Sequence, residues 1–222
     1  MIASQPRLAV IRQNILKHND LLARELRERF RQADVSVISL VSSPGSGKTA
    51  FLEKTLTALR SQYRVAAIVG DLATHNDAAR LARSQALVKQ ITTDTVCHLD
   101  ATMVDAALAD WNLNDLDFLF IENVGNLVCP ASYDLGERLR VVLLSVTEGE
   151  DKPLKYPTIF NTADLAVITK LDLAEAVEFD LATANQSIQS VRPGMLVIQV
   201  SAKTGAGMDQ WLEELYTLRR NR

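Results

Sequence analysis

The sequence predicts an α/β fold: a mainly parallel sheet flanked by helices in three layers, with one further helix ahead of it. Three observations predict it. Short, almost continuously apolar runs recur along the chain, as strands buried on both faces require. Segments of helical periodicity alternate with those runs, the pattern of a parallel sheet built from crossovers. Finally, Ser42-Ser43-Pro44-Gly45-Ser46-Gly47-Lys48-Thr49 stands between the first apolar run and the helical pattern after it.

The elements follow in order. A helix is expected from about Pro6 to Gln32, where Leu8, Ile11, Ile15, Leu22, Leu26 and Phe30 recur at helical spacings between Arg, Lys and Glu. Residues 1–34 therefore read as a helical extension, and residues 35–222 as a P-loop NTPase domain with an embedded metal site. The β-branched run Val35 to Val41 is the first strand, and a helix covers Ala50 to Leu59. Further strands are expected at Arg64–Val69, Val88–Ile91, Leu116–Ile121, Val141–Val146, Leu165–Thr169 and Leu196–Val200. Helices are expected at Asp77–Ser84, Asp100–Trp111, Ala174–Val191 and Met208–Arg219.

Composition narrows the class. A length of 222 residues suits one such domain, and 47% apolar with 23% charged residues is the balance of an ordinary globule. The net charge of −3 gives no electrostatic reason to expect nucleic acid as a partner. No apolar run approaches the ~20 residues that span a bilayer, so no membrane partner is expected. Arg7, Arg12 and Lys17 interrupt any leader-like stretch, and the expected compartment is cytoplasmic. Thiols stay reduced there, so Cys97 and Cys129 read as ligands, reactive thiols or core residues before they read as a disulfide.

The octapeptide carries the first chemistry. A glycine-rich loop between a strand and a helix offers backbone N–H groups and a helix N-terminus to phosphates. Gly45, Ser46 and Gly47 form the turn, Lys48 reaches the phosphates, and the Thr49 hydroxyl suits Mg²⁺. Ser42 stands where the usual pattern has Gly, which is acceptable if that position needs no positive φ. In parallel sheets ligands bind beyond the carboxyl ends of the strands. Asp71 and Glu122 end two strands expected to flank the first, and they are the candidate Mg²⁺ and water-organising acids.

Two later strand ends read as a base site. Thr169-Lys170-Leu171-Asp172 resembles the guanine-reading Asn-Lys-x-Asp of GTPases, with Thr169 in place of Asn. Asp172 can accept both N1–H and N2–H₂ of guanine, and the stem of Lys170 can lie across the base. Ser201-Ala202-Lys203 resembles the companion motif whose backbone N–H meets guanine O6. GTP is thus expected over ATP.

A second cluster is metal-like. Cys97 and His98 precede the helix that starts near Asp100, and Cys129 stands seven residues after Glu122. Thiolate and imidazole suit both Ni²⁺ and Zn²⁺, and three such ligands leave a position for a substrate group or a second subunit. The placement of Cys129 predicts that metal and nucleotide states are linked. His75 reads as a solvated loop residue and His18 as a surface residue.

Four longer motifs complete the reading: Gly70-Asp71-Leu72-Ala73-Thr74-His75-Asn76-Asp77-Ala78, Cys97-His98-Leu99-Asp100-Ala101, Ile121-Glu122-Asn123-Val124-Gly125-Asn126-Leu127-Val128-Cys129-Pro130, and the run from Ser145 to Pro157. On these the chain resembles the hydrogenase nickel-incorporation GTPases, HypB, of the SIMIBI class, from about Val35 onward. The resemblance implies a GTPase that forms a homodimer around nucleotide and delivers nickel to the [NiFe]-hydrogenase large subunit. It implies a HypA-type nickel protein and a SlyD-type chaperone as partners. It places the metal on Cys97, His98 and Cys129 at the dimer interface, and Lys152 near the partner subunit's base. The first 40 residues hold one His and no Cys, so neither an N-terminal Cys-rich nickel motif nor a His-rich storage tract is expected. Two other readings are a metal-dependent nucleotide-binding scaffold with negligible turnover and a urease-type nickel GTPase of the UreG kind.

Overall fold

The computed structural model of the chain describes residues 7–71 and 76–221. Its elements run α1 (Arg7–Gln32), β1 (Ser36–Ser42), α2 (Lys48–Leu59), β2 (Val65–Asp71), α3 (Asn76–Ala82), β3 (Leu87–Thr92), α4 (Ala101–Ala107) and β4 (Phe118–Glu122). They continue with β5 (Leu139–Ser145), α5 (Lys152–Lys155), α6 (Pro157–Thr162), β6 (Leu165–Thr169), α7 (Leu181–Val191), β7 (Leu196–Gln199) and α8 (Met208–Arg220).

The strands form a single sheet in the order β3-β2-β4-β1-β5-β6-β7, and every described pairing is parallel. Alternation along β4 shows why both faces must be covered. Phe118 and Phe120 enter the core under α2 and α8 with Phe51, Leu56 and Trp211, while Leu119 and Ile121 enter the opposite core with Leu26 and Phe30 of α1 and Val104 of α4. A third cluster packs α6 and α7 against β5 and β6 through Phe160, Ile188, Leu144 and Ile168. The three-layer α/β architecture and the preceding helix stand as the sequence predicts.

Several details differ. Asp71 and Glu122 do not end the two neighbours of β1. β4 lies between β1 and β2, so only the Glu122 strand flanks the phosphate-loop strand, and β5 is its other neighbour. The buried stripe of α1 is Asn19, Ala23, Leu26 and Phe30, and Ile15 is exposed. The expected helix from Ala174 begins instead at Leu181. Asp180 caps it by accepting the N–H groups of Ala182 and Thr183, and Glu178 just ahead has a left-handed φ of 53° that no helix continues through. Helix α4 stops at Ala107 rather than Trp111. Two short helices, α5 and α6, were not expected; each carries a proline in its first turn, where the ring costs no hydrogen bond.

Trp211 locks α8 onto α2. It is fully buried, its ring lies 5.1 Å from that of Phe51, and its Nε1–H donates to Thr55 Oγ1 at 2.9 Å. Trp211→Ala should cost about 3–5 kcal/mol of unfolding free energy in urea titration. A loss below about 1 kcal/mol would show that this contact is not part of the cooperative core.

Candidate functional site

The phosphate loop closes between the end of β1 and the start of α2. Gly45 and Gly47 have φ of 71° and 93°, left-handed values that a Cβ would strain, and Gly47 caps α2. Ser42 is the last residue of β1 and is not among the residues of positive φ, so the position needs no glycine. Its hydroxyl has a use: Lys48 Nζ donates to Ser42 Oγ at 2.9 Å, and the Ser46 hydroxyl bonds the same oxygen. Lys48 is buried. That burial pushes its amine pKa down, while Glu122, Asp77, Glu148 and Asp71 pull it up.

Glu122 sits 2% exposed at the end of β4. Thr49 Oγ1 donates to its Oε1 at 2.7 Å, and its Oε2 has no hydrogen-bond partner among the described residues. Burial pushes the carboxyl up to about 7; Lys48 and the Thr49 hydrogen bond oppose the shift. A buried carboxylate oxygen without a donor, beside a hydroxyl oxygen, is a pair of hard ligands that a divalent cation fits. Mg²⁺ therefore suits Thr49 and Glu122. Asp71 ends β2 and lines the same cavity of about 430 Å³, which Asp77 and Arg80 of α3 also line. Arg80 Nε donates to Glu53 Oε2 at 2.7 Å. Asp77 and Arg80 were not among the expected site residues. Asp77 stands inside the Gly70–Ala78 motif, which was the available signal, whereas the charge of Arg80 on a short helix looks like an ordinary solvated face.

The residues expected to read the base line a separate cavity of about 250 Å³, bounded by Thr169, Lys170, Asp172, Ala202, Lys203 and Phe51. Lys170 has a left-handed φ of 58°, and its stem runs past Gly47 to donate from Nζ to Gly45 O at 2.7 Å. Asp172 Oδ1 accepts from Ser201 Oγ at 2.5 Å, and Lys203 Nζ lies 3.8 Å from Oδ2. Leu171 N–H donates to Val200 O at 3.0 Å, which joins the two motif loops. The hydroxyl of Thr169 donates to Ser46 O at 2.6 Å. It ties β6 to the phosphate loop.

The ligand atoms of Cys97, His98 and Cys129 all lie within 4.8 Å of one another, and the two sulfurs are 2.8 Å apart without a disulfide. Burial pushes the imidazole pKa of His98 down, and Asp100 partly opposes it; a neutral ring is the ligating form. His98 Nδ1 is buried and has no partner among the described residues. A supporting frame surrounds the trio. The His98 ring stacks on Tyr133 at 3.9 Å between centroids, Arg140 holds the Tyr133 carbonyl at 2.7 Å, and Glu137 holds Arg140 at 2.7 Å. Asn19 of α1 accepts from Ala101 N–H and donates to Asp134 O, both at 2.9 Å, which fastens α1 to both sides of this frame.

Other expected residues lie elsewhere. Lys152 stands at the start of α5, 3.8 Å from Glu148 and 5.4 Å from the ring of Tyr156, and lines neither nucleotide cavity. His18 is exposed and borders, with Tyr133, a cavity of about 470 Å³. His75 falls outside the described residues.

A model of the CobW/HypB/UreG nucleotide-binding domain matches residues 36–199. The chain is 50% identical over 211 residues to the hydrogenase maturation factor HypB of Azotobacter vinelandii, spanning 94% of this chain and 69% of that one. The chain belongs to the HypB family. It is 47% identical over 216 residues to HypB of Escherichia coli K12, covering 97% of this chain and 74% of the relative. The crystal structure of HypB from Helicobacter pylori in complex with nickel matches with a TM-score of 0.86 and 40% identity, over 92% of this chain and 96% of that one. The signal recognition particle 54 kDa protein of Aeropyrum pernix K1, in complex with GDP, shares the fold at a TM-score of 0.57 and 13% identity. This chain has the P-loop GTPase fold of that family, and its Cys97, His98 and Cys129 form a group able to hold a metal ion. Among the described residues no helix is long and apolar enough to cross a membrane.

Glu122 yields a pH signature in the nucleotide-free chain. Its folded carboxyl titrates near 7, against 4.5 for an unperturbed one. Between those values the unfolded state releases the proton first, so this group lowers stability as pH rises through the window. Glu122→Gln should remove that slope. The stability gap between the two proteins in urea should change by about 3 kcal/mol from pH 4.5 to pH 7. Parallel pH profiles would contradict the placement of Glu122.

Proposed function

We propose that this chain is a Mg²⁺-dependent GTPase that delivers nickel to the [NiFe]-hydrogenase large subunit precursor, with nickel release coupled to GTP-dependent homodimerisation. One observation carries the reading. The segment from Glu122 to Cys129 starts at the phosphate cavity, presses Gly125 against Pro44 of the phosphate loop, and ends at the thiol and imidazole cluster. The naming of HypB relatives, and the nickel in the Helicobacter pylori structure, support the cargo and the recipient.

Hydrolysis transfers the γ-phosphoryl group of GTP to water and gives GDP and phosphate. It needs positioning and charge neutralisation more than covalent help from the protein. Lys48 would leave Ser42 for the phosphate oxygens, a short move for an amine already buried in the cavity wall. Mg²⁺ held on Thr49 and Glu122 would neutralise phosphate charge. Asp71 faces the same cavity and is the second acid available to orient the attacking water; the two acids share these roles. Asp172 would select guanine, with Ser201 and Lys203 fixing the carboxylate, and Lys170 and Ala202 walling the base.

Nickel would bind Cys97, His98 and Cys129, three soft or borderline ligands that leave a coordination position open. A second copy of the chain would complete that site, and Lys152 would meet the nucleotide of the partner subunit. Zn²⁺ suits the same ligands, and geometry in the dimer would decide between them. A HypA-type nickel protein and a SlyD-type chaperone are the expected partners in transfer. Urease is a second recipient to consider, because a Helicobacter hepaticus relative, 45% identical over 193 residues, is named a hydrogenase/urease maturation factor.

Lys48→Ala should abolish single-turnover GTP hydrolysis in the presence of Mg²⁺, read as phosphate release. Turnover equal to that of the native chain would overturn the enzymatic reading.

A further inference from the structure

Asn123 directly follows Glu122 and is 2% exposed. Its backbone N–H donates to Leu40 O at 3.0 Å, two residues before the phosphate loop begins. Its side-chain oxygen accepts two N–H groups: Leu99 at 3.0 Å and Val124 at 2.9 Å. Each of those donors belongs to one of the two sites. Leu99 follows the ligand His98, and its side chain fills the space over Gly70, where an added Cβ would lie 2.8 Å from Leu99 Cγ. Gly70 in turn precedes Asp71. Val124 precedes Gly125, where an added Cβ would lie 2.7 Å from Pro44 Cα. Backbone is thus packed against backbone on the nucleotide side, and a glycine holds a leucine on the metal side.

We propose that Asn123 is the positioning residue that couples the nucleotide to the Cys/His metal site. It touches neither ligand. It acts because a buried N–H without an acceptor is costly, so the Leu99 amide must follow the Asn123 oxygen when the end of β4 moves. His98, one residue away, then moves with it. Cys129 shifts through the same segment, which Gly125 keeps on the phosphate loop. This inference rests on the proposed function, in which both sites are used by one molecule.

The test is Ni²⁺ titration of the full chain with Mg²⁺, once with GDP and once with a non-hydrolysable GTP analogue. It is made on the native protein, Asn123→Ala and Asn123→Asp. The readout is the ratio of the two nickel affinities. A role in stability alone would change both affinities together and leave the ratio. The native ratio should differ from unity by about 5-fold or more, the usual scale of coupling between sites. It should fall to unity in Asn123→Ala and persist in Asn123→Asp, which keeps an oxygen at the same reach. A native ratio that survives in Asn123→Ala overturns the inference and leaves the proposed function standing. A native ratio of unity overturns both. One readout needs no variant: the exchange rate of the Leu99 amide in the native chain should differ between the two nucleotides, and equal rates overturn the inference.

Discussion

Glu122 lies almost out of water with one oxygen on Thr49 and the other without a donor among the described residues. A lone buried carboxylate is expensive, and the chain keeps this one only partly compensated, by Lys48 and a single hydroxyl. Much of the surrounding architecture follows from that cost. β4 must be central to carry the group deep into the sheet, so it lies between β2 and β1 with five buried residues. The loop after it must stay close to the phosphate loop, which Gly125 permits by lacking a Cβ.

The metal trio inherits this geometry. Its three residues come from two loops that would otherwise be free to separate. They are held together by Asn19 reaching from α1 and by the Glu137–Arg140–Tyr133 chain under the His98 ring. Buried polar networks of this kind fix one arrangement when every member is satisfied. Here the two thiols contact each other, and His98 Nδ1 is buried without a partner among the described residues.

Much of this was legible in the sequence. Apolar runs marked the inner strands, because a strand buried on both faces has few polar positions to confuse the pattern, as in β1, β4 and β6; the edge strand β3, Leu87–Thr92, carries Lys89 and Gln90 and has no buried residue. The phosphate loop and the Thr169–Asp172 motif could be located because their spacings are set by the ligand rather than by packing. What the sequence hid was set by contacts that no local pattern shows. The strand order, with β4 beside β1, does not show in local periodicity. Ser42 looked like a missing glycine, and only the structure gives its hydroxyl to Lys48. Thr169 looked like a defective base reader, and its oxygen belongs to Ser46. The network role of Asn19, a polar residue among apolar ones on α1, interrupts the very stripe that predicted the helix.

The central claim is that one segment, Glu122 to Cys129, is shared by the nucleotide and the metal. Binding free energies are reciprocal, so nickel must alter nucleotide affinity by the factor with which nucleotide alters nickel affinity. The most direct measurement is the affinity of the full chain for the GTP analogue relative to GDP, with Mg²⁺ held constant, in the presence and absence of saturating Ni²⁺. The account predicts that nickel changes this preference. A preference unaltered by nickel would contradict it and reduce the two sites to neighbours in one fold.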